Sequence, residues 1–180
     1  GSGDNTVKVW NLKTLKEVKT LVGHTSNVQC LEVSKNYLFS GSGDSTVKVW
    51  SLETLEEVTT FADQIGTVQC LEVSSQHLFS GSDDSKVKAW NLETLEKVTT
   101  LTGHTSNVQC LEVSSNYLFS GSIDKKVKVW NLETLEEVTS LTGHTDWVQC
   151  LEVSSKYLFS GSKDSTVRVW NLETLEEVTS

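Results

Sequence analysis

The sequence predicts an all-β protein made of repeated four-stranded antiparallel sheets, and three observations support that prediction. A nearly identical sequence recurs every 40 residues, and one tryptophan marks each copy: Trp10, Trp50, Trp90, Trp130 and Trp170. Each copy contains four short runs rich in β-forming residues, separated by turn signals. The composition, 37% hydrophobic and 22% charged residues, is that of a globular chain. We therefore expect a single domain over residues 1–180, without an internal linker.

The first half of a copy predicts two buried strands, which we name a and b. VQCLEVS (28–34) is apolar on both sides, as expected of a strand that is covered on both faces. YLFSGS (37–42) follows after a short turn at Lys35 and Asn36. The Gly-Asp-Ser sequence at 43–45 is a turn signal that ends strand b.

The second half of a copy predicts a half-exposed strand c and an outer strand d. TVKVWSL (46–52) alternates apolar and polar residues, which is typical of a strand with one solvated face. EEVTTF (56–61) is the most polar of the four runs and suits an outer edge. The LETLEE stretch between them is too short for a helix, because Val, Thr and Thr follow at once, so we interpret it as a hairpin connection.

The text GHTSNVQCLEVSSNYLFSGSIDKKVKVWN (103–131) resembles a WD-repeat unit. Gly-His precedes strand a, Ser-Gly-Ser-x-Asp occupies the b–c turn, and a Trp ends strand c; the usual Trp-Asp is Trp-Asn or Trp-Ser here. The resemblance implies a β-propeller of four-stranded blades with strand a innermost. It divides the chain into an N-terminal half-blade of strands c and d and four complete blades. These ranges are 1–21 for the half-blade and 22–61, 62–101, 102–141 and 142–180 for the complete blades.

The resemblance also implies a hydrogen-bonded tetrad of His, Ser, Trp and Asp in each blade. The corresponding residues are His24, Ser40, Asp44 and Trp50; His104, Ser120, Asp124 and Trp130; and His144, Ser160, Asp164 and Trp170. Ser42 and its equivalents lie on the same side of strand b as Ser40, so the choice of serine stays open. In the second complete blade the His position is Gln64, and we expect that blade to be locally the weakest.

Ser, His and Asp together also raise the alternative of a catalytic triad. The set recurs in unit after unit, whereas an active site needs one copy, so we expect a structural role and no enzyme activity. One His and one Cys per unit without CxxC spacing does not predict a metal site, and no cofactor motif is present. Cys30, Cys70, Cys110 and Cys150 lie 40 residues apart in VQCLEV strands. This pattern predicts free, buried thiols and a cytoplasmic or nuclear location.

The top face of the predicted blades is the candidate binding surface, because the copies differ mainly in the d–a loop and the b–c turn. The resemblance implies partner contacts three and five residues after each His position and just before the turn Asp. These positions are Asn27, Gln29, Gly43, Thr67, Gln69, Asp83, Asn107, Gln109, Ile123, Trp147, Gln149 and Lys163. Trp147 lies outside the 40-residue pattern, and we expect an exposed anchor for a partner there. Neutral variation in solvated loops is the alternative.

Strand a carries Glu32, Glu72, Glu112 and Glu152 near the predicted central channel. An acidic ring that holds a cation is one interpretation, and solvated carboxylates at a channel opening are the other. The net charge of −9 and the pI near 4.9 argue against nucleic acid and anionic membranes as partners.

An open arc of blades leaves apolar faces in water, so we expect a symmetric homodimer that closes a ring, with eight blades as the first choice and nine as the second. The half-blade at the N-terminus is a candidate clasp between chains. The half-blade is basic where the C-terminal copy is acidic, so we expect Lys13, Lys16 and Lys19 of one chain to lie near Glu173, Glu176 and Glu177 of the other. The alternative is that these lysines only guard an exposed edge strand.

The predicted function is a non-enzymatic scaffold that binds a protein or peptide and closes by homo-oligomerisation. The alternative starts from near-identical copies and from the absence of Met and Pro. It is an engineered or recently amplified repeat whose only activity is folding and self-assembly.

Overall fold

The computed structural model describes residues 2–178, which form seventeen β-strands and no helix. The half-blade contains β1 (Thr6–Trp10) and β2 (Glu17–Val22). The first complete blade contains β3 (Val28–Val33), β4 (Tyr37–Ser42), β5 (Val47–Ser51) and β6 (Glu57–Phe61). The second contains β7 (Val68–Val73), β8 (His77–Ser82), β9 (Lys86–Asn91) and β10 (Lys97–Thr102). The third contains β11 (Val108–Val113), β12 (Tyr117–Ser122), β13 (Val127–Asn131) and β14 (Glu137–Leu141), and the fourth contains β15 (Val148–Val153), β16 (Tyr157–Ser162) and β17 (Val167–Asn171).

Every sheet is an antiparallel meander in chain order, which confirms the predicted all-β class and the half-blade plus blade arrangement. The fourth complete blade has three described strands, and its outer edge is reduced to a bridge between Trp170 and Glu177. Strands β2 and β10 end at Val22 and Thr102, one residue beyond the blade boundaries expected from the sequence. Because no helix occurs in residues 2–178, none could cross a membrane there.

The c–d connection folds as a tight turn for a local reason. In the second blade the side chain of Asn91 accepts hydrogen bonds from the backbone N–H groups of Glu93 and Thr94, each at 2.8 Å. The chain then reverses through Leu95, whose φ of 57° lies in the left-handed region. Leucine carries strain at this φ, and its side chain packs partly buried against the core between blades. The same turn recurs in each copy, so LETLEE is a connection and not a helix.

Adjacent blades pack through two different faces. The forward face of the first blade consists of Phe39, Val47, Val49 and Phe61, and it meets the rear face of the second blade: Val68, Leu71, Leu78 and Trp90. Phe61 stacks on Trp90 with ring centroids 4.2 Å apart. Equivalent residues form the junctions between the second and third blades and between the third and fourth. Each junction is therefore a copy of one apolar interface, and innermost strands lie side by side along the inner wall of the arc.

The two ends of the arc leave this interface incomplete. At the rear face of the first blade, Leu31 is 38% exposed, whereas its equivalent Leu71 is 7% exposed. The β1–β2 hairpin covers only the outer part of that face, through Val7 and Leu21. At the forward face of the fourth blade, Val167 is 67% exposed.

Candidate functional site

The tetrad of the first complete blade is a continuous chain of short hydrogen bonds. The indole N–H of Trp50 donates to Ser40 Oγ at 2.8 Å. Ser40 Oγ lies 2.8 Å from His24 Nε2, and His24 Nδ1 lies 2.8 Å from Asp44 Oδ2. Since the Ser40 oxygen accepts the indole proton, its own hydroxyl donates to Nε2, and Nδ1–H then donates to the carboxylate. The chain joins the d–a loop, strand b, the b–c turn and strand c.

The same connections occur in the third and fourth blades. They link His104, Ser120, Asp124 and Trp130 in one, and His144, Ser160, Asp164 and Trp170 in the other. The serines of all three tetrads are completely buried, so no substrate reaches the hydroxyl. The arrangement therefore holds four segments of a blade together.

The structure decides between the two serines that the sequence left open. Ser40 joins His24 and Trp50, whereas Ser42 Oγ donates to the backbone oxygen of Ser26 and accepts from the N–H of Asp44. Ser42 therefore fixes the b–c turn against the d–a loop and takes no part in the tetrad.

The carboxylate of the tetrad is held in its charged form. Burial opposes ionisation of Asp124, but the hydrogen bonds from His104 and from the backbone N–H of Thr105 outweigh it, and the pKa of Asp124 lies below its ordinary value. The pKa of Asp44 is lowered in the same way: burial again opposes ionisation, and bonds from Thr46, Thr25 and His24 outweigh it. Sequence reasoning did not include the Thr46 hydroxyl, which donates to Asp44 Oδ1 at 2.6 Å.

The second blade keeps only part of the tetrad. Trp90 donates to Ser80 Oγ at 3.0 Å, and the Gln64 side-chain amide also donates to Ser80. The buried oxygens Gln64 Oε1 and Asp84 Oδ2 accept no hydrogen bond within residues 2–178. Glutamine thus replaces the contact to serine but not the contact to aspartate.

In the same blade the acidic partner lies in the preceding loop and a lysine takes its place in strand d, a change that was not predicted from the sequence. In the first blade Lys48 of strand c pairs with Glu57 of strand d at 2.8 Å. In the second blade Lys97 takes the place of that glutamate, and Asp63 of the preceding loop pairs with Lys97 at 2.5 Å. Asp63 Oδ2 also lies 3.9 Å from the buried amine of Lys88.

The signal for this exchange is present in the sequence as two coupled departures. Asp63 stands where the other complete blades have glycine, and Lys97 stands where they have glutamate. In the third blade a Cβ added to Gly103 would lie 2.8 Å from Glu137 Oε2. A side chain at the Gly103 position would therefore displace the end of the Glu137 side chain, whereas in the second blade, where Asp63 stands, that glutamate is replaced by Lys97.

The predicted top-face positions are brought together in pairs. In each complete blade, the residue just before the turn Asp donates its backbone N–H to the backbone oxygen of the residue three positions after the His position. The pairs are Gly43 N–H to Asn27 O, Asp83 to Thr67, Ile123 to Asn107 and Lys163 to Trp147, at 2.9 to 3.1 Å. The side chains of Gln69 and Asn107 both donate to Asp83 Oδ1, at 2.8 and 2.7 Å, which connects the second and third blades. Gln29 and Gln149 are exposed, and Gln109 is half-buried.

Trp147 is half-buried rather than fully exposed, because the Lys163 amine lies 3.7 Å from the centroid of its ring. Such a contact is a cation–π interaction. The exposed lysine and the indole thus form one composite surface at the top of the fourth blade.

The glutamates of the inner strands influence one another. Burial, followed by the nearby Glu112 and Glu32 carboxylates, raises the pKa of Glu72 to about 7. Within residues 2–178, no cluster of three or more His, Cys, Asp or Glu side chains is arranged to hold a metal ion. The four cysteines are free thiols, but the expectation that all are buried is wrong for Cys150, which is exposed on the last inner strand, where no further blade covers it. Burial raises the pKa of Cys30 and Cys110 to about 12, so neither is a reactive thiolate.

The residues expected at an oligomer contact have mixed surroundings. Lys19 pairs with Glu56 of the first blade at 2.5 Å, and Glu177 pairs with Arg168 at 2.7 Å. The remaining members are exposed: Lys13, Lys16, Glu173 and Glu176.

Comparison with known proteins places this geometry in context. A sequence model described as the WD domain, G-beta repeat, matches residues 15–51, 55–91, 95–131 and 135–171. Each match runs from strand d of one blade to strand c of the next, so the sequence unit overlaps two blades. A crystal structure of the computationally designed Ika8 protein is similar, with a TM-score of 0.88, 35% identity, and coverage of 96% of this chain and 54% of that chain. The chain thus spans about half the length of that designed protein.

Proposed function

The chain belongs to the WD-repeat family of β-propeller proteins, and from this premise we propose that it is a non-enzymatic scaffold that binds a protein or peptide on its top face. The observation that supports the proposal most directly is the pairing of variable positions. Loop and turn residues that differ between the copies are bonded to each other at one end of every blade, while the core residues below them repeat. A rigid support with variable side chains at one face is suited to recognition.

The chemistry of this face favours an acidic peptide over the third and fourth blades. Lys125 and Lys126 are exposed on the turn of the third blade, and Lys163 is exposed over Trp147 on the fourth. A carboxylate of the partner would meet these amines, and an apolar group would meet the indole. Asp83 of the second blade limits the basic region on that side.

The proposal includes closure of the arc by a second copy of the chain. The rear face of the first blade and the forward face of the fourth have the residue types that pack together at three junctions inside the arc. Burying them removes exposed apolar surface at both ends, which is the main driving force for association. A twofold pairing of two chains would give a ring of eight complete blades, and a ring of nine is the second possibility.

Peptides selected from a random display library on the wild-type protein provide the test for binding. We expect the selected peptides to be acidic, and we expect Trp147→Ala and Lys163→Ala each to weaken their binding by about tenfold, which corresponds to about 1.4 kcal/mol. Lys156→Ala is the matched control, because Lys156 is an exposed lysine in the a–b turn of the same blade. Equal losses for all three variants would contradict a top-face site.

Sedimentation equilibrium tests the closure separately. We expect a particle of two chains, and a particle with the 19.9 kDa mass of one chain at micromolar concentration would contradict closure by a second copy.

A second candidate function is favoured by the similarity to a designed protein at 35% identity and by the near-identical copies. On that reading the chain is an engineered repeat that folds and self-assembles without a binding partner. A display selection that enriches no peptide, together with a stable two-chain particle, would favour this candidate.

A further inference from the structure

We propose that the partner of the top face carries a basic residue beside its acidic ones, and that Asp83 of the second blade binds this basic residue. The inference rests on the proposed binding of an acidic peptide over the third and fourth blades. It adds a second contact and fixes the direction of the peptide, with its basic end over the second blade. We name the surface formed by Ile65, Gly66 and Asp83 the second-blade patch.

Asp83 is a carboxylate that is held in place before any partner binds. Its Oδ1 accepts hydrogen bonds from the side-chain amides of Gln69 and Asn107, at 2.8 and 2.7 Å. Both amides are neutral, and Asp83 takes part in none of the ion pairs among residues 2–178, not even with Lys86 of its own turn. A carboxylate that is already fixed loses little freedom on binding a cation, so Asp83 is suited to a lysine or arginine of the partner.

This carboxylate distinguishes the second blade from the other complete blades. The equivalent positions hold Gly43, Ile123 and Lys163, none of which carries a negative charge. The glutamine that donates to Asp83 is the same in every copy, so the difference lies in the acceptor. The second blade is therefore the place on the top face where a cation of the partner meets a prepared anion.

Ile65 and Gly66 place an apolar surface next to Asp83. Ile65 is 70% exposed, and the other complete blades have threonine at its position. The hydroxyl of Ser82 donates to the backbone oxygen of Ile65 at 3.0 Å, which ties this loop to the turn that carries Asp83. A Cβ added to Gly66 would lie 3.1 Å from the Cβ of Asp83, so the loop backbone lies directly against the aspartate. Ile65 would contact the apolar stem of a lysine or arginine whose charged end binds Asp83.

The charge of the top face reverses between the second blade and the two that follow. Lys125 and Lys126 are exposed on the third blade, and Lys163 is exposed on the fourth. The bond from Asn107 of the third blade to Asp83 makes the two regions adjacent. A peptide in the opposite direction would bring its acidic residues to Asp83 and its basic residue to the lysines, and like charges in contact cost free energy. One direction of binding is therefore favoured.

The substitution Asp83→Asn tests the proposal with a peptide selected on the wild-type protein. Asparagine keeps a side-chain oxygen that can accept from Gln69 and Asn107, so the substitution removes the charge and little else. If a basic residue of the peptide binds Asp83, we expect binding to weaken by about fivefold to tenfold. A peptide that presents only acidic residues would instead bind more tightly, because a repulsion is removed. Glu93→Gln is the matched control, since Glu93 is an exposed carboxylate in the c–d turn of the same blade.

Changing the peptide as well isolates the contact. Replacing its basic residue with glutamine should weaken binding to the wild-type protein by the same factor, and should have no further effect on binding to Asp83→Asn. Ile65→Thr restores the residue of the other blades, and we expect a loss of about twofold to threefold from the missing apolar contact. Thermal unfolding of each variant checks that the second blade stays folded.

The outcomes separate this inference from the proposed function. Selected peptides that lack a basic residue, or whose binding is unchanged or tightened by Asp83→Asn, overturn the role of Asp83 and leave the acidic-peptide site standing. A selection that enriches no peptide overturns both. Weaker binding of Asp83→Asn that is coupled to the basic residue of the peptide supports the proposed contact and the direction of the peptide.

Discussion

The second and third complete blades have the same strand order and nearly the same core, but their buried polar side chains are hydrogen-bonded differently. In the third blade His104 connects Ser120 to Asp124, and all three are hydrogen-bonded. In the second blade Gln64 reaches Ser80, and Asp84 Oδ2 is left without a hydrogen bond in the described residues. The backbone is unchanged because the apolar junctions on both sides specify it.

Blade geometry and blade stability have different origins in this protein. Geometry follows from the repeated apolar faces, which are present in both blades. Stability also depends on whether each buried polar atom has a partner, because an unpaired buried acceptor loses its hydration without compensation. The tetrad is therefore a stabilising connection within a blade and is not required for its shape.

The largest expected effect comes from removing the histidine of the complete tetrad. His104→Ala leaves buried Asp124 and Ser120 without their partner, and we expect local stability of the third blade to fall by about 2–3 kcal/mol. Gln64→Ala in the second blade removes one contact only, so a loss of about 1 kcal/mol is expected. Hydrogen exchange of β12 and β8, read by mass spectrometry, measures the two losses in one experiment. Equal losses would mean that the two networks are equivalent.

The exchanged charges of the second blade give a smaller expected effect. Asp63→Gly leaves Lys88 and Lys97 facing each other without the loop carboxylate, and we expect a loss of up to about 1 kcal/mol, since Asp63 and Lys97 are partly solvated. Adding Lys97→Glu recreates the Lys48–Glu57 arrangement and should restore stability.

A thermodynamic cycle of these two single variants and their double variant measures the coupling at a fixed protein concentration. If the two single effects simply add in the double variant, Asp63 and Lys97 are not coupled. A double variant with restored stability supports the coupling between them.

The smallest expected effect concerns the channel side of the same blades. The pKa of Glu72 is raised to about 7 from an ordinary value of 4.5, first by burial and then by Glu112 and Glu32. Between pH 4.5 and pH 7 the folded state keeps a proton on Glu72 that the unfolded chain has released. The contribution of Glu72 to stability is therefore greatest below pH 4.5 and is lost as the pH rises through 7. After solvent screening we expect less than about 1 kcal/mol between pH 5 and pH 8.

Glu72→Gln should flatten this pH dependence in chemical unfolding at the two pH values. Glu93→Gln is the matched control, because Glu93 is an exposed glutamate in the c–d turn of the same blade. A pH dependence that Glu72→Gln leaves unchanged would show that the channel carboxylates do not interact through the folded state.

Much of the fold could be predicted from the sequence because its signals are local. The interval expected for the first strand a, 28–34, corresponds to Val28–Val33, and YLFSGS corresponds to Tyr37–Ser42. Alternation, β-branched residues and turn sequences fix these elements within a few residues of chain. The members of the tetrads followed from resemblance, not from geometry.

The parts that could not be predicted depend on contacts between distant segments. Ser40 and Ser42 lie on the same side of strand b, and only the position of His24 in the folded blade selects Ser40. The half-buried state of Trp147 depends on Lys163, which reaches it from another loop.

By itself, the sequence determined the all-β class, the 40-residue unit, the strands and the residue types that could form a tetrad. Only the tertiary structure decided that Asp63 compensates Lys97, that Asp84 Oδ2 accepts no hydrogen bond within residues 2–178 when Gln64 replaces histidine, and that Trp10 is 53% exposed in a two-stranded sheet. The physical reason is the separation along the chain of the residues that interact. Strand formation depends on neighbouring residues and hydrophobic periodicity, whereas hydrogen bonds, ion pairs and open interfaces depend on which segments the folded blades bring within a few ångströms.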